Sequence, residues 1–192
     1  MRYLTSALVA EGESDELFLE QVLFRQLSVL ATSAQVPFEI GVPVIAECRT
    51  IVQTRTVQDE CKVLTESCDV VFVHHDYNER AKFAPLELVA AGTSRLVHVV
   101  PIRETEAWMV ADPEAFDLLR GSDRTDLPFV PARVEQLADP KAVLKVALGK
   151  RPSADTFRII GENISLDRLA QVPAYQLFLQ DLTTALKELN FQ

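Results

Sequence analysis

The chain has 192 residues, 48% of them apolar and 24% charged, with a formal net charge of −9. This is material for one packed domain, or one domain with an extension; no apolar run approaches the roughly 20 residues that span a bilayer, and no secretory leader is visible. The acidity argues against a free-standing, tight nucleic-acid binder, which shows a basic footprint, but it leaves room for an acidic metal site or a partner that supplies the basic surface.

Leu4 to Val9 is a short apolar run of strand length. It ends in Ala10-Glu11-Gly12-Glu13-Ser14-Asp15, after which Leu17, Phe18, Val22, Leu23, Leu27 and Leu30 recur at helical spacing. A strand therefore stops, Glu11 follows at its carboxyl end, Gly12 permits a sharp turn, and Ser14 offers an N-cap. In open parallel sheets, ligands gather at the carboxyl ends of strands. Phe38 to Ala46 is a second strand, and Pro43 sends it to an edge or a bulge. Val52 to Glu66 reads as a helix, followed by Asp69 to His74, whose Val70-Val71-Phe72-Val73 is a buried-strand signature.

That strand runs into His75-Asp76-Tyr77-Asn78-Glu79. Phe83 to Ala91 then reads as a helix stopped by Gly92, and Arg95 to Ile102 as a further strand. A helix starts at Glu104 to Met109, and Pro113 opens another that Gly121 ends. The polar, proline-bearing stretch from Arg120 to Pro140 is a connection. Lys141 to Leu148 and Tyr175 to Leu189 are helical, the latter with Leu177, Phe178, Leu182, Leu186 and Leu189 on one stripe. Alternating strands and helices predict an α/β fold with a mainly parallel sheet covered on both faces. The division expected is an α/β core over 1–119 and a loop with a helical C-terminal extension over 120–192, packed on the core. Cys48, Cys61 and Cys68 are odd in number and form no CxxC pair; they read as reduced thiols of a cytoplasmic protein, and their spacing does not suit structural zinc.

Carboxylates follow three strands: Glu11, Asp76 and Glu106. In a parallel sheet all three share one edge. Asn78 adds an amide oxygen from the same loop as Asp76, and Asp15 and Glu79 stand beside the set. Hard divalent cations take such oxygen ligands, and a cation held this way suits phosphodiester cleavage. Taken singly, each acid reads as a solvated loop charge or a helix cap, Asp15 most of all because the helix dipole already explains it. Taken together at successive strand ends, they read as a site. Lys141 sits at a helix start, where the dipole does not favour a cation, which makes it a candidate phosphate contact. His74 ends its strand and packs, His75 beside Asp76 is a somewhat better acid–base candidate than His74, and His98 and Trp108 read as structural. No Walker-type loop and no GxGxxG is present.

These motifs resemble a family. Strand-Glu11-Gly12-Glu13-Ser14-Asp15-helix is similar to the first motif of the Toprim fold, the metal-binding domain of topoisomerases, primases and OLD nucleases (overcoming lysogenization defect). The loop Val71-Phe72-Val73-His74-His75-Asp76-Tyr77-Asn78 resembles the second, where the fold normally has Asp-x-Asp. The stretch from Val100 to Pro113, Asp139-Pro140-Lys141 and the Leu169 to Leu186 segment resemble small bacterial Toprim-like proteins of unassigned function, related to OLD-family nucleases. The resemblance implies a Rossmann-like Toprim fold and a Mg²⁺- or Mn²⁺-dependent nuclease acting on nucleic acid. Glu11 would be metal ligand or general base, Asp76 the main ligand, Asn78 a neutral one, and Glu106 and Asp15 ligands for a second cation. Lys141 would stabilise transition-state charge. The resemblance also implies an ATPase subunit as partner in bacterial anti-phage defence. Asn78, where a second Asp is expected, opens the alternative of a catalytically degenerate binding or regulatory module. An oligomer is compatible with either.

Overall fold

The computed structural model describes residues 2–49, 54–75, 77, 95–149 and 152–192. The expected helix over Phe83 to Ala91, and the site candidates Asp76, Asn78 and Glu79, lie outside the described residues.

The chain is α/β, with parallel strands and helices alternating over its first part. The first strand is interrupted once, giving β1 (Tyr3–Leu4) and β2 (Ser6–Val9). At the interruption, the Thr5 amide and hydroxyl both donate to the Asp69 carboxylate, each at 2.9 Å. The second strand is likewise two short pieces, β3 (Glu39–Ile40) and β4 (Val44–Ile45). Pro43 lies between them and has no N–H to give the ladder. β5 (Val70–His74) and β6 (Arg95–Val99) complete the sheet. The order is β4-β2-β5-β6, with β3 beside β1, and every pairing is parallel. The expected edge position of the Pro43 strand and the parallel sheet are both present.

Alternation along the strands feeds two cores. Leu8, Phe72, Val97 and Val99 face α1 (Glu13–Ser33) and the C-terminal helices. Ala7, Val9, Val71 and Val73 face Val57, Cys61 and Leu64 of α2 (Thr54–Ser67). α3 (Glu106–Met109) is a single turn that buries Trp108 edge-on against Tyr175, ring centroids 5.0 Å apart. Where a longer helix is expected from Pro113 to Gly121, only a 3₁₀ turn forms over Pro113–Phe116, capped by Asp112. Asp112 is buried and holds further partners: the Ser165 amide donates to it at 2.8 Å and Arg168 lies at 3.3 Å.

α4 (Pro140–Leu148) starts at Asp139, whose carboxylate accepts from the Ala142 amide, and stops at Gly149, which takes a φ of +60°. α5 (Ala154–Asn163), α6 (Leu166–Leu169) and α7 (Pro173–Glu188) follow. α5 is not foreseen in the sequence. It crosses α1 so closely that a Cβ at Gly161 would lie 2.6 Å from the Phe18 carbonyl. Leu177, expected on the buried stripe of α7, is instead exposed, while Ala174, Tyr175, Phe178, Leu182 and Leu186 are buried. The hydrophobic surface of the C-terminal helices is continuous with that of β1, β2, β5 and α1. Among the described residues, no helix is long and apolar enough to cross a membrane.

Candidate functional site

β2 is the hinge of the topology. β4 pairs on one side of it and β5, the next strand in the chain, on the other, so the strand order reverses here and a crevice opens beyond the carboxyl ends of β2 and β5. Glu11 follows β2 by two residues and His74 is the last residue of β5. Gly12 is the N-cap of α1, in extended backbone with φ −147°, and no side chain caps the helix. This corrects two expectations. Ser14 lies inside the helix and is not its cap, and Gly12 is not needed for a left-handed turn. What Gly12 supplies is room: a Cβ there would stand 3.2 Å from the Asp15 carboxylate.

A chain of hydrogen bonds crosses the crevice. The Glu11 amide donates to His74 Nδ1 at 3.3 Å. Nδ1 is thus an acceptor, the proton sits on Nε2, and Nε2–H donates to Thr105 Oγ1 at 2.9 Å. The Thr105 hydroxyl and the Asp15 carboxylate line the same cavity, and Thr105 favours the charged form of Asp15. Burial pushes the His74 imidazolium down to about 3, with His75 adding repulsion, so His74 is neutral at physiological pH. Burial also raises the Asp15 carboxyl above the usual range, against the lowering effects of Thr105, the Gly12 amide and Lys141.

The loop after β6 brings two more carboxylates, Glu104 and Glu106. Lys141, in the first turn of α4, lies 3.6 Å from Glu106 Oε1; its side chain is 70% exposed while that of Glu106 is 9% exposed. Such a half-exposed pair adds at most about 1 kcal/mol to stability. Its effect is on charge: Glu106 first, then Glu104 and Asp15, hold the Lys141 ammonium protonated beyond its ordinary range. Glu11, Ser14, Asp15, His74, Glu104, Thr105, Glu106 and Lys141 together line one polar cavity of about 90 Å³. Glu104 Oε2 is buried and, among the described residues, has no hydrogen-bond partner.

Of the residues singled out in the sequence, Glu11, Asp15, Glu106 and Lys141 converge on this cavity; Asp76 and Asn78 lie outside the described residues. Glu104, Thr105 and His74 belong to the cavity without having been nominated. The Glu-x-Glu spacing of Glu104 and Glu106 just past a strand was the legible sign of the first. His75 Nε2 lies 3.2 Å from His98 Nδ1, away from the cavity-lining set. Among the described residues, no three His, Cys, Asp or Glu side chains are already arranged around one point as metal ligands. The carboxylates nevertheless suit a hard cation in chemistry, and the orphaned Glu104 oxygen is the kind of atom such an ion satisfies.

The chain matches no curated protein. It matches no solved structure either. The profile of the family described as Domain of unknown function (DUF4276) matches residues 10–183, taking in Glu11, Asp15, Glu104, Glu106 and Lys141 and running from the end of β2 into α7. The chain belongs to the DUF4276 family.

Proposed function

We propose that this protein is a divalent-cation-dependent phosphodiester hydrolase, a nuclease of the kind its Toprim-like motifs suggest. The observation that carries this reading is the convergence of four carboxylates, Glu11, Asp15, Glu104 and Glu106, on one cavity at the carboxyl ends of a parallel sheet, with a buried Glu104 oxygen that has no hydrogen-bond partner among the described residues. Glu11, Glu104 and Glu106 would hold Mg²⁺ or Mn²⁺, with Asp15 beside them and Asp76 and Asn78 as further ligands from the sequence. A cation bound there would polarise a phosphoryl oxygen and make water a better nucleophile at neutral pH.

The remaining steps fall to the chain itself. Lys141 offers a mobile positive charge to the negative charge that builds on phosphoryl and leaving oxygens. Asp15, held less acidic than an exposed aspartate, is suited to taking a proton from water. Thr105, itself bonded to His74, stands in the same cavity and favours the charged form of Asp15. The same motifs suggest an ATPase subunit as partner, which co-purification from the native cell would test.

The experiment is cleavage of supercoiled plasmid and of RNA by the purified chain with Mg²⁺ or Mn²⁺, alone and with any co-purifying ATPase. Wild type should nick or cut, and Glu104→Gln, Glu106→Gln and Asp76→Ala should each fall by roughly 10²-fold or more. Persistent inactivity of the wild type under all these conditions counts against the reading. A binding or regulatory module is the second reading, favoured by the Lys141 ammonium already lying against Glu106. Calorimetric titration with Mn²⁺ separates the two: heat that disappears in Glu104→Gln supports the hydrolase, and no heat in the wild type supports the module.

A further inference from the structure

Beside the acidic cavity lies a second hollow of about 540 Å³, within the size range of small-molecule sites, about 300–1,000 Å³. The two share Ser14, Glu106 and Lys141, so one opens directly beside the other. The character changes across that common wall. The second hollow is lined by Leu144 and Leu148 of α4, by Pro152, and by Phe157 of α5. Phe157 packs in part against the core and is otherwise open to this space. Lys141 and Lys145, one helical turn apart on α4, both border it.

An occupant that fits must be flat and apolar on one side, anionic on another, and continuous with whatever sits at the carboxylates. A nucleotide has that division. In a duplex, each base hides its faces against its neighbours, and only the sugar–phosphate exterior and the groove edges are on offer. A base in a single strand brings a free face, which aromatic and apolar side chains can stack against.

We infer that this hollow receives an unpaired nucleotide of a nucleic-acid strand, with the base against Phe157, Pro152 and Leu148 and its phosphates toward Lys141 and Lys145. This rests on the hydrolase reading for what happens next to it, and it adds the substrate class: single-stranded or locally opened nucleic acid. The strand leaves the hollow past Lys141, which places the adjoining phosphodiester over Glu106 and the rest of the acidic cavity.

The test is fluorescence anisotropy of a short labelled oligothymidylate with the full chain, in EDTA and again with Ca²⁺, against the same strand in a duplex and against thymidine monophosphate. The single strand should bind at least about tenfold tighter than the duplex or the mononucleotide. Phe157→Ala should weaken it by roughly fivefold to a hundredfold, the range for one stacked base, with Phe157→Trp restoring binding. Lys145→Gln should make the dependence on salt shallower by about 0.7 in logarithmic slope, one phosphate of a single strand. Lys145 is exposed, so this variant carries the test if Phe157→Ala loses helical content by circular dichroism. Equal or tighter duplex binding, a mononucleotide that binds as well as the strand, no strand binding in either condition, or indifference to both variants each overturns the inference. The outcome is separable from cleavage. Phe157-dependent strand binding without nicking in Mg²⁺ or Mn²⁺ removes the hydrolase and keeps the hollow. Nicking that ignores Phe157 and Lys145 does the reverse.

Discussion

Burial holds His74 neutral and its hydrogen bonds fix which nitrogen carries the proton. An unfolded histidine protonates as pH falls through 6.5, whereas folded His74 does so only near 3. Between those values the unfolded state binds more protons, so acidification destabilises the fold by up to about 1.4 kcal/mol per pH unit from this residue. Stability measured by denaturant titration should decline below pH 6.5. His74→Gln, which keeps one acceptor and one donor, should flatten that decline. Asp15 acts with the opposite sign: its raised folded pKa makes acidification less damaging locally. Lys141 is one of the influences that hold Asp15 down. Lys141→Met should therefore raise the Asp15 pKa further, read by NMR titration of the carboxyl carbon, and lower cleavage by roughly 10²–10³-fold. The acids at positions 11, 15 and 106 and the lysine at 141 were legible in the sequence because each stands at an element boundary. His74 was read only as a packing residue. Its bond to Thr105 joins two loops, and no local pattern announces a contact of that kind.

Between elements, the crossing of α1 and α5 depends on one missing side chain. Gly161→Ala drives a methyl into the Phe18 carbonyl at 2.6 Å and the Gln21 Cβ at 3.0 Å, so it should cost about 1–3 kcal/mol by thermal or chemical denaturation. The same contact explains why α5 was not foreseen. Thr156, Ile159, Ile160 and Gly161 are indifferent or poor helix formers, and the helix is sustained by α1 and by the Ser153–Thr156 capping box. The strands were easier to read, since runs such as Val70–Val73 have no alternative use. The helix expected from Pro113 to Gly121 shortens to a 3₁₀ turn over Pro113–Phe116, at whose start Asp112 is also tied to Ser165 and Arg168. Asp112→Ala should destabilise the protein by about 3 kcal/mol, since the Glu114 and Ser165 amides lose their acceptor and Arg168 keeps only the Ala111 and Phe129 carbonyls.

At the scale of the molecule, the α/β core over 1–119 and the helical extension over 120–192 share one hydrophobic interior. Leu144, Ile160, Leu169, Phe178 and Leu186 belong to the same cluster as Leu8, Phe18 and Phe72. A fragment ending at residue 119 should consequently lack a cooperative unfolding transition and show poorly dispersed amide resonances. The parallel sheet and its carboxyl-end crevice were legible from alternation and element order. The placing of Lys141, from the far half of the chain, came from its motif and not from element order. Ser14, Glu106 and Lys141 each border both the acidic cavity and the apolar hollow. Two guests admitted on either side of so thin a partition cannot ignore one another. Whatever factor a cation adds to the hold on a strand, the strand returns to the cation, because the two affinities are bound by a single thermodynamic cycle.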